Sequence, residues 1–447
     1  MTLLDIFPSL RSAMTPRLDP ALWPISTRHD QSGRICIGDV SLEEIADHYG
    51  TPTYVVDEAD VRHRCRMYRE IFPDAEIVYA GKALMIRAMA KWVSDEGLGV
   101  DVCSAGELTI ALTAGVDPAR IILHGNAKSV AELRVAVNAG VGRIVLDSHS
   151  EALRLASVCT RPQKVLIRVT PGIDIHGHKA VATGIVDQKF GLPAFSEELD
   201  RAVAAVSAAP HLQLIGLHCH LGSQITDPEH FRSGINTMIA QMDDIRRSHG
   251  IILTELDLGG GHGIPYVPGD AQLDLTRLAI VIDESLDDAC TRNRFPRPEI
   301  VLEPGRAIAA RAGVTLYRVA NIKTISGGRT FVSVDGGMSD NPRVSLYNSR
   351  YDVELVNRHS NAPLEEVTVV GRHCESGDEI SVGIQLPADL HEGDLLGVPC
   401  TGAYHHSMAS TYNSVCRPPV IAVLGGVARP LIRRESINDL LAREVGI

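Results

Sequence analysis

The sequence predicts an α/β fold, a closed (β/α)8 TIM-type barrel followed by an antiparallel β domain. Eight short apolar, strand-like runs alternate with helix-like stretches between residues 76 and 308. After residue 308 such runs continue without long helical spacers. With 447 residues the chain is also longer than a domain with one hydrophobic core usually is, because single cores stop growing at about 250–300 residues.

Each of the eight runs of the predicted barrel ends in a polar residue or a glycine turn. They are EIVYAGK (76–82), GLGVDVCS (97–104), RIILHGN (120–126), RIVLDS (143–148), KVLIRVTP (164–171), LIGLHCHLGS (214–223), ELDLGGG (255–261) and EIVLEPGR (299–306). Strands that alternate with helices form parallel βαβ units, and eight of them in about 230 residues suit a closed barrel. An open doubly wound sheet is the alternative.

The C-terminal part predicts the second domain, a β-sandwich or Greek-key barrel. Its strand-like runs are VTLYRVANI (314–322), RTFVSVD (329–335), EVTVVG (366–371) and GDLLGVPC (393–400). The segment 20–56, with RICIGDV at 34–40, is expected to contribute an N-terminal strand to this domain. The predicted boundaries are 57–308 for the barrel, 20–56 with 309–447 for the β domain, and 1–19 for an N-terminal extension.

Composition and charge argue against several classes of protein. Hydrophobic residues make up 45% and charged residues 22% of the chain, as in ordinary globular domains. The net charge of −12 argues against nucleic acid or an acidic membrane as a partner. The N-terminus lacks the pattern of a signal peptide, and no apolar run is long enough to span a membrane. A cytoplasmic location is expected.

Cys374 lies beside Glu375 in the polar segment GRHCESGDEI (371–380). The chain has nine cysteines, scattered and without a CxxC pair, which argues against a disulfide framework and a structural zinc site. Cys374 is therefore either an ordinary buried cysteine or a working thiol. A neighbouring carboxylate disfavours the thiolate, and a thiol that keeps its proton suits a general acid.

Polar residues gather at the predicted carboxyl ends of the barrel strands, where (β/α)8 enzymes place their chemistry. They are Lys82, Asp101, His124, Asp147, Arg168, His218, His220, Ser223, Gly259, Gly260, Gly261, Glu303, Gly305 and Arg306. Packing alone does not require so many polar groups, so a binding or catalytic site is predicted there.

Two glycine turns follow the seventh and eighth strands and predict a phosphate site. Gly259 to Gly261 end one strand, and Gly305 with Arg306 ends the next. Glycine lets the backbone approach an anion, and a guanidinium binds two of its oxygens. Each motif taken alone is better explained as a tight turn.

Lys82 and Glu303 extend this site toward pyridoxal phosphate. Lys82 ends the first strand in an apolar setting, VYAGKALM, where its amine would be poorly solvated. For this lysine taken alone, a side chain that extends to solvent is the favoured alternative. Pyridoxal phosphate needs an amine for its aldehyde, donors for its phosphate and a carboxylate at its ring nitrogen. A carboxylate there keeps the nitrogen protonated, which favours decarboxylation over racemisation.

In LHCH (217–220), period-two alternation directs His218 and His220 to one face and Cys219 to the other. His220 is then able to lie against a flat ring. A metal site is not expected, because no carboxylate or cysteine accompanies the pair at a suitable sequence spacing.

The chain resembles the fold-type III pyridoxal-phosphate-dependent decarboxylases from about residue 20 to its end. The resemblance rests on an ordered set of motifs: YAGKAL (79–84), VDVCSAGEL (100–108), ILHGNAKS (122–129), DQKFGL (187–192), GLHCHLGSQI (216–225), DLGGGHGI (257–264), EPGRAI (303–308), VDGGMSDNPRVSLY (334–347), HCESGD (373–378) and GAYHHSMASTYN (402–413). Asn348 and the pair His405–His406 stand where other residues are more common in the family.

The resemblance implies a (β/α)8 barrel with a β domain, pyridoxal 5'-phosphate as cofactor and a role for each matching residue. Lys82 would bind the cofactor covalently, Glu303 would hold its ring nitrogen, and His220 would stack on its ring. Its remaining contacts would be Asp101, Ser223, Gly259, Gly260, Gly261, Gly305, Arg306 and Tyr404. The resemblance also implies a homodimer, in which the segment with Cys374 reaches the active site of the partner.

Substrate choice follows from the charges implied at the far end of the substrate. Arg306, Arg343, Tyr347 and Tyr404 would contact the substrate or its distal carboxylate, and Glu375 would bind a distal ammonium. These partners fit meso-2,6-diaminopimelate, which would lose CO2 to give L-lysine, with Cys374 protonating the carbanion. Alternatives are a decarboxylase of ornithine, arginine or a carrier-bound amino acid, or a catalytically silent homologue that binds the cofactor.

Overall fold

The structure is a computed structural model that describes residues 18–173 and 188–446. Contacts between Cα atoms divide the chain into two compact units. One unit comprises Arg62–Ile264 and Ala271–Ile308, and the other comprises the chain up to Val61, Pro265–Asp270 and Ala309 onward. This grouping differs from the predicted boundaries at residues 57–61 and 265–270. The predicted extension, 1–19, lies almost entirely outside the described residues.

The N-terminal part of the second unit contains two separate strand systems. Its elements are β1 (Arg28–His29), β2 (Ile35–Ile37), β3 (Val40–Ser41), α1 (Leu42–Tyr49) and β4 (Thr53–Asp57), followed by α2 (Glu58–Ile71). RICIGDV is not one strand, because Gly38 and Asp39 both have positive φ and reverse the chain between β2 and β3. Two such residues make the turn of a two-residue hairpin. The strand that joins the large sheet is β4, which is buried along its whole length.

The first unit is an eight-stranded parallel barrel, as predicted. Its strands are β5 (Ala75–Ala80), β6 (Gly99–Val102), β7 (Ile121–Leu123), β8 (Arg143–Leu146), β9 (Gln163–Thr170), β11 (Leu212–His218), β12 (Glu255–Asp257) and β13 (Glu299–Leu302), with a short β10 (Leu192–Pro193) beside β9. Each strand pairs with the next in parallel, and β13 pairs with β5 to close the ring. Closure brings all eight carboxyl ends to one rim.

Helices follow the strands in the order that the sequence predicts. They are α3 (Arg87–Asp95), α4 (Ala105–Thr113), α5 (Val130–Ala139), α6 (His149–Val158), α7 (Glu197–Ala208), α8 (Glu229–His249), α9 (Leu275–Asn293) and α10 (Arg306–Ala309). Four of them begin at serine caps, Ser104, Ser129, Ser148 and Ser196, whose side chains accept backbone N–H bonds. Such caps leave fewer unsatisfied donors at each helix start.

The barrel interior below the rim is apolar. Five residues from five strands, Val78, Ile122, Val145, Leu166 and Val301, form one buried cluster. Parallel strands covered on both faces consist of such near-continuous apolar runs. Because the interior is apolar, packing alone does not explain the buried polar groups at the rim.

The large sheet of the second unit is antiparallel-rich but mixed. Its remaining elements are β14 (Gly313–Thr324), β15 (Thr330–Val334), α11 (Arg343–Tyr347), β16 (Glu354–Leu355), β17 (Leu364–Val370), β18 (Glu379–Pro387), β19 (Leu395–Pro399), β20 (Val420–Leu424), β21 (Val427–Ile432) and α12 (Ile437–Leu441). The strand order is β18-β17-β15-β14-β4-β20-β21, with β19 paired to β14 and β16 paired to β19. The pairs β15–β17 and β4–β20 are parallel, because the chain returns to each by a long connection.

We expect Leu166→Ala to lower the free energy of unfolding of the barrel by about 2–5 kcal/mol, since it leaves a cavity among fully buried neighbours. Leu153→Ala is the matched control, because this leucine on α6 is 52% exposed and its loss should change stability by less than about 0.5 kcal/mol. Urea unfolding followed by circular dichroism measures both. Equal effects of the two substitutions would contradict this assignment of the core.

Candidate active site

Four buried polar side chains meet at the rim of the barrel. His218 and Asp257 end β11 and β12, His124 follows β7, and Glu303 follows β13. His124 Nε2 lies 2.7 Å from Glu303 Oε1, and His218 Nε2 lies 3.4 Å from Glu303 Oε2. Glu303 is thus not a lone acid among apolar residues, because barrel closure brings partners from three other strand ends to it.

The carboxyl groups of this cluster differ in their ionisation. Burial raises the pKa of Asp101 and, together with the negative charge of Glu303, raises that of Asp257 well above its ordinary value. Burial acts on Glu303 in the same direction, but attraction to His124 and hydrogen bonds from His124 and His218 outweigh it, and its pKa lies well below the ordinary value. Glu303 is therefore the carboxylate that remains charged.

His220 does not share the environment of His218. Strand β11 ends at His218, so the alternation that predicted one face for both residues stops there. His218 is buried against Glu303, whereas His220 is half-buried and its Nδ1 accepts a bond of 3.3 Å from the backbone N–H of Gly260. This contact joins His220 to the glycine-rich turn.

Two carboxylates that sequence spacing does not indicate lie near His218 in space. His124, His218, Asp257 and Glu303 offer ligand atoms within 4.8 Å of one another, an arrangement compatible with a metal ion. Sequence spacing does not reveal this group, because its members come from four different strands. The hydrogen bonds of both imidazoles to Glu303 explain the cluster without a metal.

The glycine turns leave room that a side chain would fill. A Cβ at Gly260 would overlap the carbonyl oxygen of Glu303, and a Cβ at Gly261 would overlap that of Gly222. Gly259 and Gly261 also have positive φ, which favours glycine. Backbone N–H groups in so close a turn suit an anion.

Ser223 and Arg306 lie together near these turns in the chain. The Arg306 guanidinium donates a bond of 2.8 Å to Ser223 Oγ, and Arg306 is buried at the start of α10, directly after Gly305. Within the barrel unit, the guanidinium, the hydroxyl and the glycine turns are the donor set that a phosphate needs. Together with Lys82 and Glu303, these residues fit pyridoxal 5'-phosphate.

Lys82 is more exposed than predicted. Strand β5 ends at Ala80, and the turn Gly81–Ala83 that follows buries Gly81 and Ala83 but exposes Lys82. The expectation of a poorly solvated amine is therefore wrong for this structure. Lys82 nevertheless lies near Asp101 and His220, because its positive charge acts to lower the pKa of both groups. At Asp101 burial has the larger effect, so the pKa of that carboxyl group is raised overall.

In the second unit, three of the predicted substrate-binding residues meet. Arg343 is only 7% exposed, and its guanidinium carbon lies 5.2 Å from the Tyr347 ring centre and 5.4 Å from that of Tyr404. Arg343 Nε donates a bond of 3.0 Å to the hydroxyl of Tyr351. Arg343 is therefore a buried residue and not an ordinary surface arginine. Tyr351 is a member of this cluster that the sequence analysis missed.

The backbone at Tyr404 and Asn348 is left-handed. Tyr404 has φ 63°, a conformation that costs a bulky residue of order 1–3 kcal/mol and is found mostly at functional sites. Asn348 has φ 52° and ends α11. Asparagine tolerates this conformation better than most residues, which explains how it replaces the more common glycine. His405 is fully buried against Tyr351.

Cys374 is exposed and unpaired, so it is neither a buried cysteine nor half of a disulfide. Its neighbour Glu375 accepts a hydrogen bond from the hydroxyl of Tyr412, which raises the pKa of that hydroxyl. His373 anchors the segment through bonds of 2.9 Å with Asn413 Oδ1 and 2.8 Å with Ser339 Oγ. The motif TYN (411–413) therefore supports the thiol segment, a role that no sequence spacing indicates.

Comparison with known proteins finds relatives along the whole chain. Residues 58–310 match the family described as pyridoxal-dependent decarboxylase, pyridoxal binding domain. The chain is 49% identical over 446 residues to diaminopimelate decarboxylase of Actinosynnema pretiosum subsp. auranticum, with 100% of both chains covered. It is 45% identical over 440 residues to that of Mycobacterium tuberculosis (strain H37Rv), covering 96% of this chain and 98% of the relative.

Solved structures give the same grouping. The diaminopimelate decarboxylase from M. jannaschii in co-complex with L-lysine has a TM-score of 0.88 at 28% identity, covering 94% of this chain and 98% of the other. The lysine/ornithine decarboxylase of Vibrio vulnificus, complexed with putrescine, shares the fold with a TM-score of 0.73, 23% identity and coverage of 86% and 97%.

We expect Gly261→Ala to weaken binding of pyridoxal 5'-phosphate by about tenfold or more, because the new methyl group would meet the carbonyl oxygen of Gly222. Gly269→Ala is the control, since Gly269 has nearly the same φ, +85° against +88°, but open space around its Cβ position. Cofactor titration measures both. Similar losses in the two variants would mean that backbone strain, rather than the space in the turn, limits binding.

Proposed function

The chain belongs to the family of pyridoxal-dependent decarboxylases, and from that premise we propose that it converts meso-2,6-diaminopimelate to L-lysine and CO2, the last step of lysine biosynthesis. The buried Arg343, with Tyr347 and Tyr404 beside it, carries the proposal. A buried guanidinium needs an anionic partner, and the distal carboxylate of this substrate supplies one. Ornithine and arginine have no such group.

The barrel residues supply the binding and orientation of the cofactor. When bound, pyridoxal 5'-phosphate supplies an electron-withdrawing ring that accepts the electron pair left behind by CO2. Lys82 would hold its aldehyde and Glu303 its ring nitrogen, while His220 would pack on the ring with Asp101 nearby. Ser223, Gly259, Gly260, Gly261, Gly305 and Arg306 would hold the phosphate. Tyr404 stays a predicted contact of the cofactor.

Residues of the second unit supply recognition and a proton. Arg343, Tyr347 and Tyr404 would bind the distal carboxylate, and Glu375 would bind the distal ammonium. Arg306 stays a predicted contact of the substrate. The hydrogen bond from Tyr412 orients the Glu375 carboxylate for this contact. Cys374 donates the proton of its Sγ to the α-carbon of the substrate after CO2 has left.

We further propose a homodimer in which Cys374 and Glu375 serve the active site of the partner. Their exposure supports this assignment, because a catalytic thiol in a single chain would otherwise remain in open solvent. No described helix combines the length and apolar composition needed to cross a bilayer. The cytoplasmic location stays a prediction, with which nine unpaired cysteines agree.

The second candidate is a decarboxylase of a related amino acid. It gains some support from the shared fold of the lysine/ornithine decarboxylase. A substrate without a distal carboxylate would not, however, explain why Arg343 is buried. The silent homologue is disfavoured, because Lys82, Glu303 and Cys374 are all present.

We expect the purified enzyme to release equal amounts of CO2 and L-lysine from meso-2,6-diaminopimelate and to leave ornithine and arginine unchanged. Arg343→Gln should lower kcat/KM for this substrate by about 10- to 100-fold, as expected for loss of one charge-assisted hydrogen-bonding group. Arg350→Gln is the control, since Arg350 forms only an exposed ion pair with Asp270. An amine product from another amino acid, with no lysine formed, would reject the proposal.

We expect Cys374→Ala to lower kcat by about 10²-fold or more, because it removes a general acid, while cofactor affinity stays near the wild-type value. Cys416→Ala, a half-buried cysteine outside the segment, should be neutral. Mixing inactive Lys82→Ala and Cys374→Ala chains tests the shared site. Random exchange should restore about one quarter of the wild-type sites in a dimer whose sites are shared, whereas unshared sites would restore none.

A further inference from the structure

The two carboxylate oxygens of Glu303, at the rim of the barrel, contact different side chains. His124 Nε2 lies 2.7 Å from Oε1, and His218 Nε2 lies 3.4 Å from Oε2. The two imidazole rings stand nearly edge to face, with centres 4.8 Å apart and an angle of 68° between their planes. All three side chains are buried, at 2–5% exposure. Each carboxylate oxygen of Glu303 therefore contacts one imidazole ring, and the two rings pack against each other.

The surroundings would otherwise favour a neutral Glu303. Asp101 and Asp257 lie close to it and are themselves pushed toward the protonated form by burial. In a medium of low dielectric constant, a buried carboxylate without hydrogen-bond donors takes up a proton. The guanidinium of Arg168 is close enough to Glu303 for attraction between their charges. Attraction to the two imidazoles and hydrogen bonds from them offset the effect of burial on Glu303.

Hydrogen-bonding geometry identifies the protonated nitrogen of His218. Burial lowers the pKa of His218 to about 3, so the ring is neutral and carries one N–H. Its Nδ1 has no protein partner among the described residues, whereas Nε2 faces a charged carboxylate. The proton therefore belongs on Nε2, which donates to Glu303. His124 Nε2, at the shorter distance, donates to the other oxygen.

We propose that His124 and His218 are positioning residues that keep Glu303 ionised and fixed, and that they thereby hold the proton of the cofactor ring on its nitrogen. The proposal rests on the role proposed above for Glu303. A single proton is shared between the carboxylate and the ring nitrogen. Each N–H bond to the carboxylate lowers its basicity, so the proton stays on the ring, where it draws electrons most strongly. Neither histidine touches the substrate in this role.

The test compares two cofactors that differ only at this atom. Protein is incubated with equal amounts of pyridoxal 5'-phosphate and its 1-deaza analogue, in which a carbon replaces the ring nitrogen. Borohydride then fixes the bound cofactor on Lys82, and mass spectrometry gives the ratio of the two adducts. We expect wild-type protein to prefer the natural cofactor by about tenfold or more, since only the nitrogen bonds to the charged carboxylate. Glu303→Gln should abolish most of this preference.

His124→Leu removes the closer donor, and we expect it to lower the preference at least fivefold. His124→Gln, whose side-chain amide keeps an N–H group, should retain most of it. His218→Leu and His218→Gln form a second pair. We again expect the leucine variant to lose more of the preference for the natural cofactor than the glutamine variant, but by a smaller factor, because the contact between His218 and Glu303 is longer. Thermal unfolding of each variant controls for loss of the fold.

An unchanged ratio in both leucine variants, with a general loss of binding, would overturn the positioning role and leave only a structural one. Equal losses in the leucine and glutamine variants would overturn it as well, because shape rather than hydrogen bonding would then matter. Absence of any adduct on Lys82 in wild-type protein would instead reject the cofactor role itself. No substrate is used, so failure of the proposed substrate leaves this test unaffected.

Discussion

Closure of eight parallel strands is the constraint on which the chemistry of this protein depends. It brings the carboxyl ends of β7, β11, β12 and β13 to one rim and forces four polar side chains into a volume without water-like screening. Within that volume burial raises the pKa of Asp257, whereas attraction to His124 and hydrogen bonds from two imidazoles keep the pKa of Glu303 below its ordinary value. A carboxylate in such surroundings is strongly basic unless its donors are fixed. The rigid strand ends provide that fixation, which loops of the same length would not.

The glycine turns show the same constraint at the level of the backbone. At Gly260 and Gly261 the chain passes so close to neighbouring carbonyl groups that no side chain fits. Space for an anion is thus created by the absence of side chains. Arg306 and Ser223, which follow Gly305 and Gly222 in the chain, add hydrogen-bond donors. The rim thus combines turns that suit an anion with a buried carboxylate of low pKa.

The second unit contributes chemistry of the opposite sign. Arg343 is buried among tyrosine rings, whose faces partly stabilise a cation, and no carboxylate among the described residues forms an ion pair with it. Glu375 and Cys374 remain on an exposed segment, held by His373 and Tyr412. In the proposed dimer, the buried cation of one chain and the exposed carboxylate of its partner would together suit a zwitterionic group. The left-handed backbone at Tyr404 indicates that this unit accepts local strain beside its arginine.

The sequence by itself determined the barrel, since periodicity and apolar runs are local properties: all eight predicted strands exist, and serine caps mark four of the helix starts. It also identified Lys82, Glu303, Arg306 and Arg343 from residue type and motif. Only the tertiary structure decided that RICIGDV turns back on itself, that Lys82 is exposed, that Arg343 is buried, and that His124, His218 and Asp257 surround Glu303. His124, His218, Asp257 and Glu303 are separated from one another by 39 to 179 positions in the chain. Barrel closure, not sequence spacing, sets such distances, so no local pattern contains them.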